Sequence, residues 1–549
     1  MGVKSGRILK ESKLIFFAAA FLFLIGAGAK ADGPGDCINI MTDKGSVSGA
    51  PNVKLGLCVY KGIPFAAPPV GALRFAPPEE SAAWEGPLDA TKFGNECVQF
   101  PLGVMATAEP IGNEDCLYLN VWQPVTAAKQ KKPVMVFIHG GGFVMGSGSQ
   151  PWYEGSNLAS FGDVIVVTIN YRLGPFGFMA HPSFRDAEGH AGNYGFYDQL
   201  TALKWVKKNI GNFGGDAGNI TIFGESAGGM SVKLHLISPL SKGLFKKAII
   251  ESGPAFLMNT TLENAQEKGL KQAAALGCDN PDSAADCLRA LDAKQIMRVL
   301  KPVMGFAAGD KKDTQDFSSN PIVDGYGVPD NPIDAIRKGA YDKSVKIMAG
   351  SNQNEFAIFT MMKKIETKED LSENIRKDME NYKRYFGDRE LPADFMSLYP
   401  VSDYPSPKQC YNAILTDVVF TCPTKVMANA MADTGAETYV YYFTKHLMDK
   451  GITRDWGAFH SAELFFIFGN LAFMGINAKT PENVEMSKTM MTLWTSFART
   501  GVPAASGAPE WPRYDAKTLK AMRLDLKLAV IADIKKEPCE IIGGFLSGK

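Results

Sequence analysis

The chain has 549 residues, of which 46% are hydrophobic and 21% are charged, with 58 basic and 58 acidic side chains. This composition excludes an intrinsically disordered chain, which would carry less apolar material and a large excess of one charge. The zero formal charge gives no electrostatic argument for a nucleic-acid or anionic-membrane partner, so a small-molecule ligand is favoured.

The first 31 residues have the three-part pattern of a secretory signal peptide. Basic residues precede the apolar run 14–25, and Ala29 and Ala31 supply the small residues of a cleavage site. An uncleaved membrane anchor is the weaker alternative, because crossing a membrane takes about 20 helical residues. We expect cleavage after Ala31 and a secreted or periplasmic protein of residues 32–549 with a net charge of −4, no membrane association, and disulfides permitted.

Short apolar, β-branched runs alternate with helical patterns along the rest of the chain, at 134–138, 164–169, 220–223, 248–250, 345–348 and 439–443. Between two of the runs lies one apolar helix stripe, formed by Phe196, Leu200, Leu203, Val206 and Ile210, with Asp198 off it. This pattern predicts an α/β fold with a mostly parallel sheet and helices on both faces. Two charged, helix-rich stretches near 255–340 and 357–435 are interpreted as insertions of a single domain, 32–549, that wall a substrate pocket.

The pentapeptide Gly224-Glu225-Ser226-Ala227-Gly228 follows one predicted strand and precedes a helical segment. A serine on a sharp strand-to-helix turn needs small neighbours, and the turn presents its hydroxyl above the sheet. In this context Ser226 is the candidate nucleophile, although the pentapeptide alone would be a weak signal.

A run of glycines, His139-Gly140-Gly141-Gly142, follows another predicted strand. Such a run lets backbone N–H groups approach a ligand, as an oxyanion hole requires. A phosphate-binding loop is disfavoured because the run ends in Gly-Phe rather than Gly-Lys-Ser/Thr. We assign the oxyanion donors as the N–H groups of Gly141, Gly142 and Ala227.

A serine nucleophile needs a base, and the chain has only six histidines. In hydrolases with this kind of serine turn the base comes late in the chain. His235 lies about 13 Å down the helix that leaves the turn, too far to reach back. His460, in a loop of small and aromatic residues, is favoured over His446, which lies in a polar stretch.

The carboxylate that orients the base should follow a strand between the serine and the histidine. Glu355, just after the run 345–348, meets this condition, and Asp324 is the rival. Asp324 precedes a glycine and is better interpreted as a turn residue.

With these features the chain resembles the type-B carboxylesterases, the cholinesterase-like branch of the α/β-hydrolases. The resemblance covers essentially all of residues 32–549 and rests on several long motifs, at 60–66, 114–122, 139–143, 170–172 and 213–228. It implies a serine carboxylesterase with a Ser226, Glu355 and His460 triad, with Ser252 as a hydrogen-bond partner behind the triad. It implies no cofactor.

The resemblance also implies disulfides between Cys97 and Cys116 and between Cys278 and Cys287. The other five cysteines are an odd number, so at least one of them is free or intermolecular. No Cys or His pair has zinc spacing, and no metal is predicted.

The chain departs from the family pattern at a few positions. Phe356 follows the acid in place of a more usual glycine, which is expected to reshape the pocket wall. No tryptophan lies between Cys97 and Cys116, so choline esters are disfavoured as substrates. Two alternatives stay open: a lipase or a polyester- or toxin-degrading esterase of the same mechanism, and a non-catalytic, neuroligin-like binding module.

Overall fold

The computed structural model describes residues 37–101, 109–125, 130–186, 188–254, 260–301, 320–386, 391–392, 394–448, 454–473 and 476–547. Within these residues the chain forms an eleven-stranded sheet and two small sheets. The strands are β1 Ile40–Met41, β2 Ser46–Ser48, β3 Ala50–Asn52, β4 Leu57–Pro64, β5 Leu88–Asp89, β6 Tyr118–Pro124, β7 Lys132–Ile138, β8 Ile165–Ile169, β9 Gly215–Glu225, β10 Lys247–Glu251, β11 Lys346–Asn352, β12 Thr438–Phe443, β13 Ala472–Phe473, β14 Ile476–Asn477, β15 Lys520–Leu524 and β16 Ala529–Ala532.

The large sheet has the strand order β16-β15-β12-β11-β10-β9-β7-β8-β6-β4-β3. The strands from β8 to β15 in this order are all parallel to one another. The strands at both edges run antiparallel. The predicted mostly parallel α/β sheet is therefore confirmed, and the carboxyl ends of its central strands meet at one edge.

Helices cover both faces of this sheet. Successive side chains of each strand point to opposite faces and therefore enter different cores. On β7, Val136 and Ile138 belong to one hydrophobic core, whereas Met135 and Phe137 belong to the other. The helices are α1 Ser156–Gly162, α2 Gly174–Phe178, α3 Tyr194–Asn209, α4 Ala227–Ile237, α5 Leu262–Ala275, α6 Ala284–Ala290, α7 Ala293–Leu300, α8 Pro332–Arg337, α9 Lys368–Phe386, α10 Pro407–Thr416, α11 Cys422–Asp433, α12 Ala462–Ile467, α13 Pro481–Thr500 and α14 Lys536–Ser547. A π-helical turn, Asp417–Thr421, joins α10 to α11.

The six predicted strands correspond to β7 to β12. The predicted insertions contain α5 to α8 and α9 to α11, and their role as walls of a pocket stays a prediction. The predicted signal peptide, residues 1–31, lies outside the described residues. Among the described residues, no helix has the length and apolar character needed to cross a membrane.

Four disulfides join described residues. Cys97 pairs with Cys116, and Cys278 with Cys287. Cys37 pairs with Cys58, and Cys422 with Cys539 across 117 positions. Cys410 is buried and free.

The helix stripe predicted on α3 is buried as expected, but Asp198, which lies off the stripe, is buried as well. Its carboxylate receives two hydrogen bonds from the Arg172 guanidinium, at 2.8 and 2.7 Å, and one from the Arg172 backbone N–H. The ion pair therefore ties α3 to the loop that follows β8.

We expect Asp198→Ala to destabilise the fold by about 3–5 kcal/mol, because it leaves the buried Arg172 charge without its partner. Urea unfolding followed by tryptophan fluorescence measures this loss. Glu267→Ala, at an exposed position on α5, is the control and should leave the urea concentration at the unfolding midpoint unchanged. Equal midpoints for the two variants would contradict the assignment of Asp198 as a structural anion.

Candidate active site

The predicted glycine run and the predicted nucleophile lie side by side because their strands are neighbours. β7 and β9 are parallel, with Ile138 opposite Gly224. Each strand ends at the same edge of the sheet, so the loop after β7 meets the turn after β9. A side chain at Gly140 would place its Cβ 2.8 Å from the Glu225 carbonyl oxygen and 3.1 Å from Ser226 Cβ. Gly140 therefore has no room for a side chain.

Ser226 occupies the sharp turn between β9 and α4, with φ of 58° and ψ of −119°. This left-handed conformation is strained for a residue with a side chain. A Cβ on Gly228 would lie 1.9 Å from the Ile138 carbonyl oxygen, which explains the glycine there. The Ser226 N–H donates to the Glu251 carbonyl at 2.9 Å, so the end of β10 supports the turn.

The three predicted oxyanion donors lie on two segments, with Gly141 and Gly142 in the loop after β7 and Ala227 directly after Ser226. Gly141 and Gly142 have φ of 104° and 62°, in the region that favours glycine. Within the described residues, neither of their N–H groups donates a hydrogen bond. Ala227 is the first residue of α4, where backbone N–H groups have no partner inside the helix. Their role as oxyanion donors stays a prediction.

Glu355 and His460 meet at the end of β11. Glu355 lies in a 3₁₀ turn three residues after β11, and its Oε2 is 2.6 Å from His460 Nδ1. A bridge between Asn354 and Phe459 holds the two loops together, with the Asn354 N–H donating to the Ala458 carbonyl at 3.0 Å. Both side chains are buried.

The second carboxylate oxygen of Glu355 is also held in place. Glu355 Oε1 accepts hydrogen bonds from Ser252 Oγ at 2.6 Å and from the Asn352 N–H at 2.7 Å. Ser252 follows β10 and has φ of 46°. The structure thus places Ser252 where the family resemblance implied, behind the acid.

The other sequence candidates do not join this group. Asp324 accepts hydrogen bonds from Asn193 and Tyr197 and from the N–H groups of its own turn, as expected of a turn residue. His446 is exposed. His235 is buried on α4 and contacts Ser241 and Gln199.

A further carboxylate, Glu225, faces the catalytic candidate histidine from the opposite side. Glu225 Oε1 lies 3.0 Å from His460 Nε2 and accepts a hydrogen bond from Ser461 Oγ at 2.7 Å. His460 Nε2 makes no hydrogen bond within the described residues, to Ser226 Oγ or to any other group. Glu225 is absent from the functional residues predicted from the sequence, although its position directly before the serine was a usable signal.

Buried charge sets the protonation behaviour of this site. Burial by itself would lower the pKa of His460, but the carboxylates of Glu225 and Glu355 outweigh it and raise that pKa to about 9. Burial raises the pKa of Glu225, and the attraction of His460 opposes that rise. A neutral imidazole therefore depends on how much negative charge Glu225 carries.

Two more buried glutamates extend the cluster behind Glu225. Burial and the charges of Glu225 and Glu355 raise the pKa of Glu463 to about 8. Burial and the charge of Glu463 raise the pKa of Glu251 well above its usual range. Glu463 accepts a hydrogen bond from Asn352, and Glu251 accepts one from Trp494 Nε1 at 2.5 Å. Glu463 and Glu251 therefore hold their protons more strongly than exposed glutamates do.

Two phenylalanine rings, Phe359 and Phe420, lie 5.0 Å from the His460 ring. Phe356 contacts both of these rings, at 5.6 and 5.8 Å. The residue that departs from the family pattern therefore packs against the aromatic rings beside the base. Its effect on a substrate pocket stays a prediction.

Among the described residues, Asp186, Glu188 and His190 are the one group whose side-chain atoms could together hold a metal ion. Asp186 accepts hydrogen bonds from the N–H groups of Glu188 and His190, so turn geometry accounts for the cluster. It is not part of the site around Ser226.

Comparison with known proteins agrees with this architecture. A model of the carboxylesterase family matches residues 36–542. The para-nitrobenzyl esterase of Bacillus subtilis is 37% identical over 91% of this chain and 97% of its own length, and liver carboxylesterase 1 of Oryctolagus cuniculus is 35% identical over 84% of each chain.

Solved structures agree as well. A PNB esterase structure aligns with a TM-score of 0.77 and 35% identity over 92% of this chain and all of its own. A Geobacillus stearothermophilus carboxylesterase aligns with the same score and identity over 92% of this chain and 99% of its own. This chain is a member of the carboxylesterase family and a carboxylic ester hydrolase.

Proposed function

We propose that this chain is an exported serine carboxylesterase that hydrolyses carboxylic esters through an acyl-enzyme intermediate on Ser226. Family membership supports ester hydrolysis. The observation that carries the assignment of roles is the 2.6 Å contact between His460 Nδ1 and Glu355 Oε2, at the sheet edge where the strained Ser226 turn ends β9.

The contact with Glu355 selects one tautomer of the base. With the proton on Nδ1 donated to the carboxylate, the lone pair of Nε2 is free to accept the Ser226 proton. Ser226 Oγ attacks the ester carbonyl carbon as Nε2 takes this proton. Glu355 then stabilises the imidazolium cation, and its own orientation is held by Ser252 and the Asn352 N–H.

The negative charge of the tetrahedral intermediate develops on the former carbonyl oxygen. The N–H groups of Gly141, Gly142 and Ala227 are the proposed donors to it. Because these groups belong to the backbone, they need little reorganisation as charge develops, and this kind of pre-positioned donor contributes strongly to catalysis.

Collapse of the intermediate releases the alcohol, which takes its proton from His460 Nε2. A water molecule then attacks the acyl-enzyme by the same route, with His460 as base, and the carboxylic acid leaves. Glu225 faces Nε2 during the charged stages of both steps and favours the imidazolium form.

Export of the enzyme is part of the proposal. The N-terminal pattern of residues 1–31 is that of a signal peptide, and four disulfides join described residues. Disulfides persist in oxidising compartments outside the cytoplasm.

Ser226→Ala should lower kcat for p-nitrophenyl butyrate by at least about 10⁴-fold, because the nucleophile is lost. A p-nitrophenyl ester series of increasing acyl length, assayed with purified protein, measures this and separates short-chain esterase activity from lipase-like activity. Ser487→Ala is the matched control, since Ser487 is a buried serine on α13 that hydrogen-bonds the Phe466 carbonyl. Activity of Ser226→Ala close to that of the control would overturn the mechanism.

Glu225→Gln should shift the acidic limb of the pH dependence of kcat/KM to lower pH. The reaction needs a neutral His460, and the Glu225 charge raises the pKa of that group, so removing the charge lowers the pH at which His460 loses its proton. The loss of one adjacent opposite charge corresponds to about 1–3 pH units.

The pH profile of Glu485→Gln, at a surface position, provides the control. If the acidic inflection of kcat/KM for Glu225→Gln lies at the same pH as that of the control, or at higher pH, the role given to Glu225 is contradicted.

Protein exported by a bacterial host should begin at Asp32, as determined by N-terminal sequencing. Replacing both Ala29 and Ala31 with arginine should block this cleavage, because the processing site requires small residues. Recovery of wild-type protein that still begins at Met1 would contradict the predicted signal peptide.

A further inference from the structure

Two buried side-chain amides connect the Cys97–Cys116 disulfide to the loop that carries Gly141 and Gly142. We define the glycine loop as residues 139–148. Gln99 lies two residues after Cys97, and Asn170 lies directly after β8. Gln99 is 3% exposed and Asn170 is 4% exposed.

Gln99 satisfies both backbone groups of Gly146. The Gly146 N–H donates to Gln99 Oε1 at 2.7 Å, and Gln99 Nε2 donates to the Gly146 carbonyl at 3.0 Å. The same Nε2 donates to the Cys97 carbonyl at 3.0 Å. One amide thus joins the disulfide to the far end of the glycine loop.

Asn170 makes an equivalent connection to Gly148, which lies two residues after Gly146 in the glycine loop. The Gly148 N–H donates to Asn170 Oδ1 at 2.8 Å, and Asn170 Nδ2 donates to the Cys116 carbonyl at 3.1 Å. The carbonyls of both disulfide partners are therefore linked, through one amide each, to the segment 146–148.

The glycine loop needs support at this end. Its beginning is fixed by β7, but Gly140 to Gly142 have no side chains that could pack. The loop turns back on itself through hydrogen bonds from the Val144 and Met145 N–H groups to the Gly141 carbonyl, at 3.1 Å each. A Cβ on Gly146 would lie 2.7 Å from the Gly140 carbonyl oxygen, so the two ends of the glycine loop approach each other closely. A displacement of Gly146 would therefore move Gly140 and Gly141.

We propose that Gln99 and Asn170 are positioning residues for ester hydrolysis, and that their amides hold the Gly141 and Gly142 N–H groups where the oxyanion forms. The inference rests on the function proposed above. Neither side chain touches the reacting atoms in this scheme. Each acts through the backbone of residues 146–148.

Gln99→Leu removes the hydrogen bonds of the first amide and keeps a side chain of similar size. We expect kcat to fall by about 10- to 100-fold, since a misplaced oxyanion donor costs up to about 10³-fold in rate, while KM changes by less than about threefold. The inhibition constant of an alkyl trifluoromethyl ketone, which forms a tetrahedral adduct on the serine, should rise by the same factor as kcat/KM falls. Asn170→Leu should follow the same pattern.

Gln266→Leu is the matched control. Gln266 is a buried glutamine on α5 that accepts a hydrogen bond from Arg185, and its loss tests the general effect of removing a buried amide. Rates of the variants that keep Ser226 are expressed per active site, titrated with a phosphonate ester that phosphonylates the serine of folded enzyme only, and rates of Ser226→Ala are expressed per mole of protein. If Gln99→Leu fails to fold, Gln99→Asn, which keeps the amide on a shorter side chain, is assayed by the same criteria.

The positioning role is overturned if the Gln99 and Asn170 variants have the same kcat and the same affinity for the ketone as Gln266→Leu. It is also overturned by an equal loss of kcat in all three variants, which would indicate general destabilisation. Ser226→Ala is assayed beside them. Its activity decides the proposed function separately, because an inactive Ser226→Ala with fully active Gln99 and Asn170 variants would reject only this inference.

Discussion

The in-register parallel pairing of the central strands is the constraint on which the candidate site depends. Ile138 of β7 lies opposite Gly224 of β9, Glu225 of β9 lies opposite Glu251 of β10, and Glu251 lies opposite Gly350 of β11. Four successive strands therefore end at nearly the same level. The glycine loop, the Ser226 turn, Ser252 and Glu355 follow those four ends, so their proximity results from the sheet rather than from long-range loop packing.

The same edge concentrates carboxyl groups in a buried place. Glu225, Glu251, Glu355 and Glu463 are all buried, and His460 lies between two of them. Burial raises the pKa of the carboxyl groups at Glu225, Glu251 and Glu463, whereas the charges of Glu225, Glu355 and Glu463 stabilise the His460 cation. The site therefore balances an imidazole that must be neutral to accept a proton against carboxylates that favour its protonated form. Glu225 is the group through which that balance is most directly altered.

The sheet could be predicted from the sequence, and the groups of the proposed triad could be nominated from it, because each carries a local signal. The central strands are apolar on both faces. Ser226 lies in a turn whose flanking glycines are required by the local geometry of the turn alone. The partners that act across the fold carry no such signal. Glu225 was visible, but its role depends on His460, far along the chain, and the contact between Gln99 and Gly146 depends on the path of a loop that periodicity does not describe. Asp198 was misleading for the same reason, since its partner Arg172 lies on another element.

The π-helical turn at 417–421 makes the carboxyl-terminal end of the chain part of the active-site region. Phe420 in this turn contacts the His460 ring, Asp417 lies 3.4 Å from Lys535, and Cys422 is bonded to Cys539 in α14. The wall beside the base is thus braced by α14, through a disulfide that spans 117 positions of the chain. A nascent or truncated chain lacking α14 lacks this brace.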